Sequence, residues 1–289
     1  MPGSRFKMSD RIRNREYQYS CRKTKKDREA ERVTSLIRYI TDSNIIVDTN
    51  MKMLDLGCGN GKITSKIKNK LKLSEIYGAD INDRDDQFPN DVNYLKVQNN
   101  EIPVNDGYFD FITCYVSIHH FEQQDMMLQE IARILKPGGY LYIREHDIRN
   151  NIDLYYINLV HVIMCAKINH YDFTARYFSL DDLKLTLSSL GMVNTYYSSY
   201  GKYNPQKLYH ACFKKTISTS RYISIFNMEL SRKSEPAISY LKQSYCTDSR
   251  FDKLMDKMKQ MWNLSHQKLE DIIISSKSLE DLYQNLSNL

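Results

Sequence analysis

Residues 51–61 read MKMLDLGCGNG: a short apolar run, a single acid at Asp55, then glycines at 57, 59 and 61. No other stretch limits the fold as tightly. An apolar run that ends in a glycine-rich turn and passes into a helical pattern, here TSKIKNKL, reads as the first strand–turn–helix of a doubly wound α/β sheet. In such folds the turn lets backbone approach a nucleotide-like ligand. Dinucleotide sites space their glycines G-x-G-x-x-G and set a pyrophosphate on the helix N-terminus. Here the order is Asp-x-Gly-x-Gly-x-Gly, with the carboxylate leading. A carboxylate at the strand end repels a pyrophosphate and suits a cationic ligand.

The chain then alternates short apolar runs with helical patterns: EIYGADI, YFDFITCYVSI, DMMLQEIARIL and GGYLYIREHD. That spacing implies parallel βαβ units. Lys136-Pro137-Gly138-Gly139 stops the helix before it. LYYINLVHVIMCAKI reads as a buried helix inserted after the fifth strand, and Ser179-Leu-Asp-Asp182 as a capping box. VNTYYSSY and KLYHACFK form a closing antiparallel hairpin. Ahead of the sheet, residues 27–40 make an amphipathic helix with Val33, Leu36, Ile37 and Ile40 on one face. Beyond 216, FDKLMDKMKQMW and SLEDLYQNL are amphipathic helices, the second capped at Ser278, whose Met and Leu stripe reads as packing surface. Three segments result: a basic arm and helix over 1–50, a ligand-binding domain over 51–215, and a helical extension over 216–289 available to a protein partner.

Charge and cysteine usage bound the function. Residues 1–40 hold twelve Lys/Arg and five Asp/Glu, a net of +7 against +6 for the whole chain, so the rest sums to −1. The positive excess, with Tyr17 and Tyr19 among it, lies within residues 5–32. Cations interleaved with aromatic rings suit RNA, phosphates on the one and bases on the other; the bland alternative is a solvated arm or a lid. Cysteines 21, 58, 114, 165, 212 and 246 are scattered with no C-x-x-C pair, so neither a zinc site nor a disulfide framework is expected, and a cytoplasmic setting fits. No apolar run reaches membrane-spanning length.

The motifs at DLGCGNGK (55–62), YGADI with Asp80 at the second strand's end, NNEIPVNDGYFDFITCYVSIHHF and EIARILKPGGYLYI, in that order, resemble the class I methyltransferases that use S-adenosylmethionine (SAM). The resemblance spans roughly residues 50–215. It implies a mostly parallel seven-stranded sheet, with SAM held by Asp55, Gly57, Cys58, Gly59, Asn60 and Gly61, and by Asp80 and Ile81 at the ribose. Gln98 and Asn99 would flank the adenine, although the family usually has an aspartate at 98, and Cys114 and Tyr115 would line the methionine side. Asp80 can accept both ribose hydroxyls, a fork only a carboxylate supplies.

The acceptor is narrowed by what is missing. Thr113-Cys-Tyr-Val-Ser117 is not the [DN]-P-P-[YF] of base-amine methylation, nor does it hold the Pro-Cys nucleophile of pyrimidine C5 methylation. Two classes stay open. The basic arm resembles that of messenger-RNA cap guanine-N7 methyltransferases, and the Lys-, Asn-, Ile- and Tyr-rich composition resembles that of large cytoplasmic DNA viruses; this favours RNA, with no proton to remove from nitrogen 7. The alternative is a small-molecule acceptor, for which the HHF at 119–121 and the LKPGG block are typical and His119, His120 or His146 could serve as base. A non-catalytic subunit of the same fold is the third reading. Substrate contact is expected from Glu145, His146 and Tyr115, at the carboxyl ends of strands.

Overall fold

A computed structural model of the protein describes residues 25–84, 86–168, 175–200, 204–216, 228–229, 238–239, 242 and 249–289. The first of the described helices, α1 (Lys25–Asp42), presents Val33, Leu36, Tyr39 and Ile40 to the core, the 3–4 spacing expected of one buried face. β1 (Met53–Leu56) follows and is buried throughout. α2 (Lys62–Leu71), β2 (Tyr77–Asp80), β3 (Asn93–Lys96) and β4 (Phe109–Tyr115) come next. Then come a 3₁₀ turn at Ile118–His120, α3 (Gln124–Ile134) and β5 (Leu135–His146). α4 (Asn151–Ile168) leads to β6 (Arg176–Tyr177), α5 (Leu180–Ser189), β7 (Met192–Ser199) and β8 (Leu208–Lys215). A two-residue strand, β9 (Met228–Glu229), pairs with β6, and α6 (Ser249–Trp262), α7 (His266–Ser275) and α8 (Leu279–Ser287) end the chain.

The main sheet has seven strands in the order β3-β2-β1-β4-β5-β8-β7. Neighbours from β3 to β5 run parallel; β8 is antiparallel to both β5 and β7. The expected seven-stranded, mostly parallel α/β sheet is therefore present, closed by the expected hairpin. Side chains alternate across it. Leu54, Ile112, Cys114, Leu141 and Ile143 face α3 and α5, whereas Met53, Phe111, Tyr142 and Cys212 face α1 and α2. α3 ends where expected: Leu135 leaves the helical region (φ −80, ψ 131), and a Cβ on Gly139 would lie 2.9 Å from the carbonyl of Asp110. Ser179 and Ser278 cap α5 and α8 as read, accepting from the backbone of Asp182 and Asp281.

A second core lies beside the sheet. Ile157, Ile163 and Leu159 of α4 pack with Phe251 and Met258 of α6, Leu269 and Ile273 of α7, and Leu282 and Leu286 of α8. The Met and Leu stripe of residues 249–287 is consumed here, as packing surface. α4, inserted between β5 and α5, thus joins the sheet domain to the helical extension. Most of the basic segment 5–32 lies outside the described residues; its last turns form the start of α1.

Candidate active site

The glycine turn joins β1 to α2 at the carboxyl edge of the sheet, with all three glycines in the left-handed region (φ 73, 51 and 68 for Gly57, Gly59 and Gly61). Their reasons differ. A Cβ on Gly57 would stand 2.4 Å from the Ser117 hydroxyl, and one on Gly61 2.7 Å from the Phe88 ring. A Cβ on Gly59 would meet nothing within 4 Å. Packing within the protein therefore accounts for the glycines at 57 and 61, and of the three only Gly59 borders open space for an approaching ligand. The amides of Gly57 and Cys58 both donate to the carbonyl of Ala79 (2.8 and 3.1 Å), which fixes the turn to β2. Cys58 is buried against Gly78. Asn60 accepts from the amide of Lys62 at 3.3 Å, an Asx-type start to α2.

Asp55 is almost fully buried. One carboxylate oxygen accepts the Thr64 hydroxyl at 2.6 Å and the other the Thr113 hydroxyl at 2.9 Å. It therefore bolts β1 to α2 and to β4. Burial pushes its pKa up to about 6, against the lowering effect of the two hydroxyls and of Arg32. A charge held in this way gains from a cation placed nearby.

Asp80 ends β2 half-buried. One oxygen accepts the Gly59 amide at 2.8 Å; the other accepts the backbone and side-chain N–H of Asn82 at 3.0 and 3.1 Å. A carboxylate has about four acceptor sites, so capacity remains for hydroxyls. Ile81 beside it is 59% exposed, an apolar surface at the strand end suited to a base or ribose face. Gln98 and Asn99 lie exposed just beyond β3. Gln98 and Glu101 exchange backbone hydrogen bonds (3.1 and 2.8 Å) around Asn99 and Asn100, both at positive φ (52 and 63), a tight turn of the kind asparagines tolerate.

Of the three residues expected to touch substrate, Glu145 and His146 end β5 together, and Tyr115 ends the neighbouring β4. Tyr115 faces α1 and is buried with its hydroxyl lacking a hydrogen-bond partner. Burial and the nearby Asp55 push that phenol well above its usual range. Glu145 is buried and engaged: one oxygen lies 2.7 Å from His119 Nδ1 and accepts the His146 amide at 2.9 Å. His146 is buried, its Nδ1 2.7 Å from the carbonyl of Gln206, and burial lowers its pKa to about 4. Glu145 and His146 hence belong to a buried histidine group, and Tyr115 belongs to the cofactor side. Cys114 is fully buried in the core facing α3, so what it presents toward the ligand is backbone.

Several residues around Tyr115 carry no signal in the sequence. Arg32, from α1, has a buried Nε without a partner and feels Arg144, Tyr115, Asp55 and Tyr200. Arg144 Nε donates to the Tyr200 hydroxyl at 2.8 Å, and Tyr200 and Tyr142 bracket the His210 ring at 2.6 and 3.0 Å. Burial and the two guanidiniums hold His210 down at about 3, so its imidazole is neutral. Only pairing in space reveals these: Arg32 is one member of a long basic run, and Arg144 one polar residue on a strand. Asp55, Tyr142, Arg32 and Arg144 act on the Tyr115 hydroxyl, which has no hydrogen-bond partner among the described residues, and Tyr200 and His210 lie beyond Arg144 and Tyr142. Together with the open flank of Gly59 and the bare Ile81, they fit an amphoteric nucleoside with an amino-acid tail.

A family profile described as a methyltransferase domain matches residues 54–143. The ubiquinone/menaquinone biosynthesis C-methyltransferase UbiE of Shewanella baltica is 34% identical over 122 residues, covering 36% of this chain and 49% of that protein. The Shewanella halifaxensis protein of the same name is 33% identical with the same coverage. The chain thus spans about half the length of the curated relatives it matches. Among solved structures, a SAM-dependent methyltransferase from Methanosarcina mazei superposes with a TM-score of 0.47 at 19% identity, over 62% of this chain and 98% of that one. The motifs from β1 to β5, the strand order and the profile coincide on one stretch. Residues 54–143 are a class I methyltransferase domain, whose cofactor is S-adenosylmethionine.

Proposed function

We propose that the protein is a SAM-dependent methyltransferase acting on a small-molecule acceptor. The observation that carries this is the cofactor turn itself, complete from Asp55 to Gly61 with Asp80 bonded across to Gly59, in a stretch whose relatives are C-methyltransferases of quinone biosynthesis. Those relatives favour the small-molecule class over the RNA class. The cap guanine-N7 reading drew on residues 5–32, which lie mostly outside the described residues, and none of the relatives named here is an RNA enzyme. Its support is the charge and composition of the sequence, which the relatives do not add to.

SAM supplies a methyl group already activated on a sulfonium, so the protein's work is positioning and the exclusion of water. Asp80 orients the ribose by accepting its hydroxyls. Ile81 offers an apolar face to the base. Asp55 faces the cationic half with a buried carboxylate, and Arg32 offers an unpaired N–H to the ligand's carboxylate. Tyr115 supplies a buried hydroxyl on the α1 side that, among the described residues, has no hydrogen-bond partner and can bond a ligand. α1 itself covers this side of the sheet and keeps it dry.

The test is binding followed by transfer. Calorimetry with SAM should show saturable one-site binding. Radiolabelled methyl should pass to phenolic or quinol acceptors in a fractionated metabolite pool, and not to capped or uncapped RNA. Transfer to capped RNA alone would restore the RNA reading; absence of any SAM binding would reject both.

A further inference from the structure

Three of the seven histidines of this chain converge. His119 comes from the 3₁₀ turn after β4, His146 from the end of β5 and His161 from the middle of α4. One ring nitrogen from each lies within 4.8 Å of the others'. The ring centroids stand 5.2, 5.1 and 5.8 Å apart. Three imidazoles bound tetrahedrally at the usual metal–nitrogen distance of about 2.0–2.1 Å have centroids roughly 5 Å apart, so the rings already hold the needed spread.

The hydrogen bonds indicate which nitrogen of His119 and of His146 carries a lone pair. His119 Nδ1 is 2.7 Å from the Glu145 carboxylate, His146 Nδ1 2.7 Å from the Gln206 carbonyl, and His161 Nδ1 2.9 Å from the Ile157 carbonyl. Carbonyl and carboxylate oxygens accept, so Nδ1 of His119 and of His146 carries the hydrogen and Nε2 presents a lone pair; His161 Nδ1 is shared between the Ile157 carbonyl and the Tyr177 hydroxyl, the latter at 2.7 Å. His119 Nε2 is buried with no hydrogen-bond partner among the described residues. A buried lone pair facing two other imidazoles is unfavourable unless a cation or donor lies between them. An acceptor oxygen on the outer nitrogen, one of them a carboxylate, is the arrangement that orients metal-bound histidines elsewhere. Burial also favours the neutral, ligating form of all three rings.

We propose that His119, His146 and His161 bind one divalent transition-metal ion, zinc being the best match, at the seam between the sheet and α4. Spacing of cysteines, the criterion that speaks against zinc in the sequence, cannot see it: the three ligands are single histidines from three elements. Three protein ligands leave one position for water or an acceptor atom. The site abuts the methyltransferase machinery, because Ser117, two residues before His119, packs on Gly57 of the cofactor turn. Its other effect is mechanical. His161 ties the helical core to the sheet.

Cobalt(II) tests this without cofactor or acceptor. Titrated into the full-length, chelator-stripped protein, it should give the visible absorption bands of a four-coordinate site, saturating at one equivalent and displaced by zinc. His119→Gln and His161→Gln should each weaken cobalt binding by at least 10-fold, whereas His266→Gln, outside the cluster, should bind as wild type. Zinc should also raise the thermal midpoint of the wild type and not that of His161→Gln, a comparison that stands if His119→Gln does not fold. Absence of a saturable cobalt spectrum in the wild type overturns the proposal. So does an unchanged affinity in His161→Gln.

Discussion

The carboxylate of Asp80 accepts the backbone N–H of Gly59 at 2.8 Å, so the residue placed to hold the cofactor's ribose also holds the middle of the glycine turn. The two halves of the cofactor site are thus one unit. Asp80→Ala should weaken SAM binding by roughly 1–3 kcal/mol, the cost of leaving buried polar partners unpaired. Asp80→Asn should lose less, since its amide oxygen can still accept from Gly59. Calorimetry on both variants checks this; equal affinity for wild type and Asp80→Ala would place the ribose elsewhere.

Asp55 gives the protein a pH dependence whose sign is fixed by its burial. Its folded-state pKa, about 6, lies above the ordinary carboxyl value of 3.8. The folded chain therefore holds this proton more tightly than the unfolded chain does. The Asp55 contribution to stability is present in full below about pH 4 and is lost as pH rises through about 6. A cationic ligand prefers the ionised form, so SAM affinity should move the other way and strengthen between pH 5 and 7. Binding measured across that range should show the rise in the wild type and a flat profile in Asp55→Asn. A wild-type affinity independent of pH would mean the ligand's charge lies far from Asp55.

Gly57 and Ser117 are in contact across the site, and the contact leaves no room. Gly57→Ala places its Cβ 2.4 Å from the Ser117 hydroxyl in a residue already at φ 73. Both strain and overlap should destabilise, by about 1–3 kcal/mol for the overlap. Adding Ser117→Gly removes the overlap and leaves the φ strain. Chemical denaturation of the single and double variants should therefore show partial recovery. Full additivity would mean that the turn moves away from β4 instead of clashing.

How far the sequence discloses this protein depends on whether a feature is local. Short apolar runs bounded by glycines and helical patterns disclose β1, β2, β4 and β5, and a Ser three residues before an acid discloses the starts of α5 and α8. The cofactor residues are legible because a turn requiring three positive-φ glycines has to be written contiguously. β3, no shorter than β1 or β2, is too exposed to stand out, and the β6–β9 ribbon pairs residues more than fifty positions apart. Glu145 and His146 are rightly placed at a strand end, yet only the fold shows that they turn toward His119 and His161. Thr64 and Thr113 are ordinary residues in the sequence; their role exists only because both reach Asp55.

α8 supplies the last prediction. Leu282 is fully buried in the second core, where α4 packs beside α6, α7 and α8. Leu282→Ala should cost about 2–5 kcal/mol, the range for a large-to-small change in a packed core. α4 is continuous in sequence with β5 on one side and with β6 and α5 on the other, and it buries its apolar residues against α6–α8. Loosening α8 therefore removes part of what holds α4 in place, and α4 in turn carries His161. The helical core and the sheet should unfold together, giving one transition by both far-ultraviolet dichroism and tyrosine fluorescence. The substitution should lower the midpoint of that single transition. Two separated transitions, with only the first shifted by Leu282→Ala, would establish residues 216–289 as an independent unit and would leave α4 to be held by the sheet alone.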